Sequence, residues 1–189
     1  MYEPLLRHIR NYIRLDASEE AVLQGYLQTA VIGKKEHLLK EGQVCNASYF
    51  VAEGCLRQYY RKDNGTEQTI QFAIENWWMS DYISLEQQKP SAFCMQAVEQ
   101  STLVYIPYSA QAALFEALPA MERYFRLVLQ RAYMAALTRI QYIFTFTGEE
   151  RYHHFQQSFP GFVQRIPQYM LASYLGFTPE FLSKIRAKR

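Results

Sequence analysis

Glu180, Ser183, Lys184, Arg186, Lys188 and Arg189 put one acid, one hydroxyl and four cations into ten consecutive residues. On a helix, this set suits ionic and hydrogen-bonded contact with the phosphates and base edges of a nucleic-acid duplex. Leu182 and Ile185 turn inward at helical spacing, which leaves Glu180, Ser183, Lys184, Ala187 and Lys188 facing outward. Upstream, small Ala172 permits two helices to approach closely, and Gly176 can take the positive φ of a sharp turn. Thr178 offers an N-cap hydroxyl, and Pro179 falls at the first helical position, where a missing N–H costs nothing. The spacing therefore predicts a helix–turn–helix over 165–189. Its candidate contact residues are Gln168, Thr178, Pro179, Glu180, Ser183, Lys184, Arg186, Lys188 and Arg189. Five basic residues against Glu180 give this segment net +4, so the rest of a +2 chain nets −2. An ordinary helical hairpin with a solvated basic end meets the same spacing.

No other constellation carries chemistry as well. Ser, His and acidic residues occur without a nucleophile elbow, P-loop or dinucleotide fingerprint, so no catalytic residue is assigned. His153 and His154 are adjacent, so on a helix they point about 100° apart and cannot chelate one metal from one face. Cys45, Cys55 and Cys94 are too few for an iron–sulfur cluster and read as small buried hydrophobes. A haem would need an axial ligand, for which His37 is poorly placed. No metal site is therefore expected and no cofactor is assigned.

Several elements must position the terminal hairpin. The 189 residues are 49% hydrophobic and 15% aromatic, a globular composition that excludes disorder. Three cysteines without a C-x-x-C pair, no apolar leader and no long apolar run predict a cytoplasmic protein that does not enter membranes. Pro4 can start a first helix, and Ser18 with Glu19 and Glu20 a second that runs to about Ala30. From about Lys35 to Pro107 the texture is strands and turns. Asn64-Gly65 is placed to supply both positive-φ residues of a hairpin turn, and Ser109 to cap a short helix after the strands. After Pro119 a long helix is predicted to run to about Thr147. One of its stripes (Leu114, Leu118, Met121, Phe125, Val128, Ala132, Ala135) suits the β region, and another (Leu129, Tyr133, Ala136, Ile140, Ile143) suits an identical helix. Burial of the whole helix within one monomer is the competing arrangement. Gly148, with Thr147 and Glu150 at capping-box spacing, marks an expected hinge.

Taken in this order, the chain resembles the short regulators of the Crp–Fnr superfamily. The resemblance is carried most specifically by residues 165–186, and less so by Lys40-Glu41-Gly42, residues 49–54 and Asn64-Gly65. It implies an α+β fold: a jelly-roll-like double-stranded β-roll, a long dimerisation helix at about 119–147, and a helix–turn–helix without a wing. It divides the chain into a cyclic-nucleotide-binding-like sensory half (1–147) and a DNA-binding half (148–189). Implied partners are double-stranded DNA, a second copy of the chain, RNA polymerase and a small-molecule effector of unknown identity.

The family commonly starts its recognition helix with Arg-Glu and places another Arg four residues after that Glu. Here Pro179, Glu180 and Lys184 stand at those positions, so the usual operator half-site is not expected. The family's cyclic-nucleotide pocket uses Gly-Glu for the ribose and Arg-Ser for the phosphate; here these become Ser80-Asp81 and Ser91-Ala92. With Trp78, Tyr82 and Lys89 these four residues form the candidate pocket. A cyclic phosphate there would lack its guanidinium, so cyclic AMP is expected to bind weakly or not at all. A pocket for an uncharged aromatic ligand and a plain aromatic core are both open readings of Trp77, Trp78, Tyr82 and Phe93. The alternative to a regulator is a ligand-binding or protein-interaction module with a vestigial helix–turn–helix.

Overall fold

The computed structural model describes residues 1–187 of the chain. The fold is mixed α+β, with antiparallel sheets followed by helices. Tertiary contacts divide it into two compact units: Met1–Tyr60 with Gln71–Leu129, and Arg61–Ile70 with Gln130–Arg189.

In the first unit, α1 (Glu3–Arg10) carries Pro4 in its first turn and buries Leu5, Leu6 and Ile9. Helix α2 (Ala17–Tyr26) begins one step before the predicted start. Its cap is Asp16 rather than Ser18, because the Asp16 carboxylate accepts from Glu19 N–H at 2.9 Å while Glu19 accepts from Asp16 N–H at 2.8 Å. It also ends before Ala30: Leu27 is extended and leads directly into β1 (Gln28–Ile32).

The remaining strands are β2 (His37–Leu39), β3 (Ala47–Glu53), β4 (Leu56–Arg61), β5 (Glu67–Ala73), β6 (Trp78–Met79), β7 (Cys94–Ala97) and β8 (Ser101–Pro107), with α3 (Tyr82–Gln87) after β6. They form two four-stranded sheets, ordered β1-β8-β3-β6 and β2-β7-β4-β5. Strand periodicity sorts the side chains. Phe50 and Val104, directly paired, join Trp78 and Ile106 in a core with Leu5, Ile9, Leu23, Leu114 and Met121 from the helices. Their neighbours Tyr49, Val51, Leu103 and Met79 point the other way and pack with Leu39, Leu56, Met95 and Ala97 of the second sheet. Gly54, at φ +103°, follows β3 where a Cβ would lie 2.3 Å from Ser101 Oγ, so no other residue fits.

The β4–β5 turn uses one positive-φ residue rather than two. Gly65 has φ +81°, while Asn64 instead accepts the Thr66 N–H with its side chain at 3.0 Å. Helix α4 (Tyr108–Ala117) is not capped by Ser109, since Pro107 holds the N-cap position without a side-chain bond.

Helix α5 (Ala120–Thr145) contains neither Gly nor Pro. Only its first turns are buried, through Met121 and Tyr124. The first predicted stripe therefore stops early: Phe125 and Val128 are half-buried, while Ala132 and Ala135 are exposed. Leu129, Tyr133, Leu137, Ile140 and Ile143 are all exposed, at 40 to 65%. In the second unit follow α6 (Gly148–Ser158), α7 (Pro160–Arg165), α8 (Gln168–Leu175) and α9 (Pro179–Ala187). The expected Thr147–Glu150 capping box is present at the start of α6. Tyr152, Phe155, Phe162, Met170, Leu171, Leu182 and Ile185 are buried there. Among the described residues no helix is long and apolar enough to cross a membrane.

Candidate functional site

Helices α8 and α9 are joined by a tight turn built as its residues require. Gly176 is left-handed (φ 81°, ψ 31°), and the Phe177 N–H returns to the Ala172 carbonyl at 2.8 Å. Thr178 Oγ accepts the Phe181 N–H at 3.2 Å, opening α9. Leu182 and Ile185 are buried, whereas Gln168, Thr178, Pro179, Glu180, Ser183, Lys184 and Arg186 are exposed. Lys188 and Arg189 lie outside the described residues. The Glu180 carboxyl is held below the usual glutamate range, first by its own backbone N–H and then by the Thr178 hydroxyl. It is therefore an ionised acceptor at neutral pH, on the same face as the Lys184 ammonium.

The C-terminal end of α8, next to this turn, is held by groups that the sequence did not single out. Its last carbonyls receive three side-chain donors: Gln68 on Ser173 O, Arg139 on Tyr174 O at 2.8 Å, and Arg151 on Leu175 O at 3.1 Å. Two guanidinium groups at a helix C-terminus also oppose its partial negative charge. Arg139 lies 3.9 Å over the Tyr174 ring and Arg151 lies 4.9 Å over that of Phe177. Burial lowers the Arg139 pKa. The Ser173 hydroxyl accepts from Thr69 N–H and donates to Glu67 O, both at 2.8 Å, while Arg139 also reaches Ile70 O. Helix α8 is thus tied to α5, to α6 and to the β4–β5 hairpin tip within one compact unit. Periodicity could not reveal these ties, because they join side chains to backbone atoms up to 106 residues away.

The candidate pocket residues separate into two groups. Ser80, Asp81 and Ser91 come together and are buried. Asp81 caps α3, accepting from Ile83 and Ser84 N–H through Oδ1, while Ser91 Oγ donates to its Oδ2 at 2.5 Å. Ser80 donates to Ala47 O at 3.1 Å. Ser84 joins this group unannounced by the sequence, bridging Cys45 N–H and Lys89 O. Trp78 packs elsewhere: its indole N–H donates to Tyr124 Oη at 2.8 Å in the helix-side core. Tyr82, Lys89 and Ala92 are exposed.

On β4, Gln58 shares the core-facing side with Leu56 and pairs with Met95. It is only 4% exposed, and its side-chain amide makes no hydrogen bond among the described residues. Arg57 faces the opposite side, its guanidinium 4.1 Å over the Tyr59 ring and its Nε donating to Gln96 Oε1 at 2.9 Å. On β3, burial pushes the Tyr49 phenol up to about 12, so it is neutral. The three cysteines are buried and free, and His37 Nε2 pairs with Tyr59 Oη at 3.0 Å. Among the described residues no group of His, Cys, Asp or Glu side chains is arranged to hold a metal ion.

Residues 30–117, which span both sheets and the Asp81–Ser91 cluster, match the family of cyclic nucleotide-binding domains. Solved structures similar to the chain include a putative transcriptional regulator of the Crp/Fnr family from Eubacterium rectale. FixK2 from Bradyrhizobium japonicum superimposes with a TM-score of 0.74 at 16% identity, covering 86% of this chain and 83% of its own. CLP from Xanthomonas campestris, described as a c-di-GMP responsive global regulator, has a TM-score of 0.74 at 13% identity, covering 92% and 91%. The Thermus thermophilus catabolite activator protein has a TM-score of 0.56 at 20% identity, covering 93% and 84%. At these identities the likeness is one of fold. No curated protein matches the chain in sequence.

Proposed function

We propose that this chain is a homodimeric, DNA-binding transcription regulator whose cyclic nucleotide-binding domain does not take cyclic AMP in the usual way. The observation that carries the reading is α9: Glu180, Ser183 and Lys184 stand exposed over buried Leu182 and Ile185, on a pair of helices whose connecting turn is fixed by Gly176. Such a face fits a major groove, with Glu180 accepting from cytosine N4 and Lys184 donating to guanine or phosphate. Gln168 and Thr178 take backbone contacts.

The functional halves are residues 1–147 and 148–189, joined at the Thr147–Glu150 cap. The exposed apolar stripe of α5 supports a twofold partner, because an isolated helix seldom leaves five large hydrophobic residues in water. Two recognition helices so paired must stand roughly 34 Å apart to enter successive major grooves. An effector, and RNA polymerase as a partner of the DNA-bound dimer, complete the reading.

The effector is of a different chemical class from a cyclic nucleotide. Asp81 already accepts three hydrogen bonds, and Ser91 stands where a phosphate-binding guanidinium would be needed. The side-chain amide of Gln58, which makes no hydrogen bond among the described residues, instead suits an uncharged ligand. Mobility-shift titration of the full chain against random-sequence duplex, at low and moderate salt, tests the DNA reading. Retention that weakens with salt and weakens again in Lys184→Ala is expected, whereas no retained fraction at low salt overturns it. Calorimetry with cyclic AMP should show no saturable heat.

A further inference from the structure

A groove of about 360 Å³ runs beside α9, between α6 and α7, wholly within the second compact unit. Its floor is apolar, with Val163 and buried Ile185. Its rim carries His153, Gln156, Gln164 and Arg186, and none of the residues lining it is acidic. These four side chains make no hydrogen bond to any other group among the described residues. One guanidinium, two amides and an imidazole thus converge on a single opening with their donors unspent. That is the donor set, and the sign of charge, that recognises phosphodiester oxygens, while an apolar floor suits the deoxyribose between them.

The position agrees with the chemistry. Two residues along a helix are about 200° apart, so Arg186 lies on the flank of α9 opposite Lys184. A duplex holding α9 in its major groove brings one sugar–phosphate backbone past each flank. We infer that the His153–Gln156–Gln164–Arg186 groove seats the backbone of one DNA strand, fixing the register in which Glu180 and Lys184 meet the bases. The inference rests on the DNA reading above. It adds a second, sequence-independent contact strip contributed by α6 and α7, which are outside the reading pair.

Fluorescence anisotropy with a random-sequence duplex, titrated over a range of salt, tests it on the full chain. Wild type is compared with Lys184→Ala, Arg186→Gln and the double variant Gln156→Ala/Gln164→Ala, all checked for an unchanged melting temperature. Arg186→Gln should lower the slope of log affinity against log salt by about 0.9, the value of one lost phosphate contact. The double glutamine variant should weaken binding roughly threefold to tenfold with the slope unchanged, since it removes neutral donors. Hydroxyl-radical cleavage should show the protected sugars on one strand lost in both groove variants and kept in Lys184→Ala. If both groove variants match wild type in affinity, slope and footprint while Lys184→Ala binds more weakly, the groove inference fails and the DNA reading survives. If wild type itself retains no duplex at low salt, both fail.

Discussion

Replacing Ser173 by Ala should loosen the β4–β5 hairpin tip without touching the exposed face of α9. The Ser173 hydroxyl is the acceptor for Thr69 N–H and the donor to Glu67 O, each at 2.8 Å. Thr69 is fully buried, and its own hydroxyl oxygen already lacks a partner, so water cannot readily take over. Orphaning one buried N–H costs about 1–3 kcal/mol, and the half-buried Glu67 carbonyl adds roughly 0.5–1 kcal/mol. Allowing for relaxation, we expect a local loss of about 2 kcal/mol. Native-state hydrogen exchange reads this directly: the Thr69 amide should exchange roughly thirtyfold faster in Ser173→Ala, while amides of β3 and β8 keep their rates. Ser173→Thr retains the hydroxyl and should restore most of the protection. An unchanged Thr69 exchange rate in Ser173→Ala would refute the claim that this hydroxyl holds the hairpin to α8.

Three further outcomes are expected. Gly148→Ala should destabilise the chain by about 1–3 kcal/mol in urea unfolding, because a Cβ there meets the Phe181 ring at 2.6 Å and that of Phe177 at 3.1 Å; combining it with Phe181→Ala should recover part of the loss. Tyr133→Glu with Ile140→Glu, both on the exposed stripe of α5, should give monomers in sedimentation equilibrium, whereas the proposed dimer is the outcome expected of wild type. Glu150 is fully exposed, and its pKa is lowered by the Thr147 N–H and then by the Thr147 hydroxyl. Its contribution to the α6 cap is therefore complete above the usual glutamate pKa of 4.5 and lost as pH falls through the lower folded value. Glu150→Gln should remove the part of the acid destabilisation that this group supplies, as seen in thermal melts between pH 6 and roughly pH 3.

Much of the second unit could be read from the residues alone. Gly176, Thr178 and Pro179 each allow few backbone conformations, and together they place the α8–α9 turn within a residue or two. The absence of Gly and Pro from 120 to 147 likewise announces α5, and turn residues such as Asn64-Gly65 mark the β region. The cap of α2 was harder, because Asp16 and Ser18 are both good caps and only the reciprocal bond from Glu19 separates them. Trp78 misleads for a different reason: an aromatic residue in a strand is apolar on either face, so composition cannot say which core it enters. The clamp formed by Gln68, Arg139 and Arg151 is invisible to any local pattern, since charged residues on a helix ordinarily read as a solvated face. Gln58 shares that difficulty, a polar residue in a strand whose inward direction emerges only from its pairing with Met95.

Strand β5 ends its sheet, and a terminal strand of that kind normally offers unpaired N–H and C=O groups to any passing chain. Here Glu67 O and Thr69 N–H are taken by Ser173, and Ile70 O by Arg139. That rim is thereby blunted against a foreign strand, so the contacts that hold α8 also work against edge-to-edge aggregation.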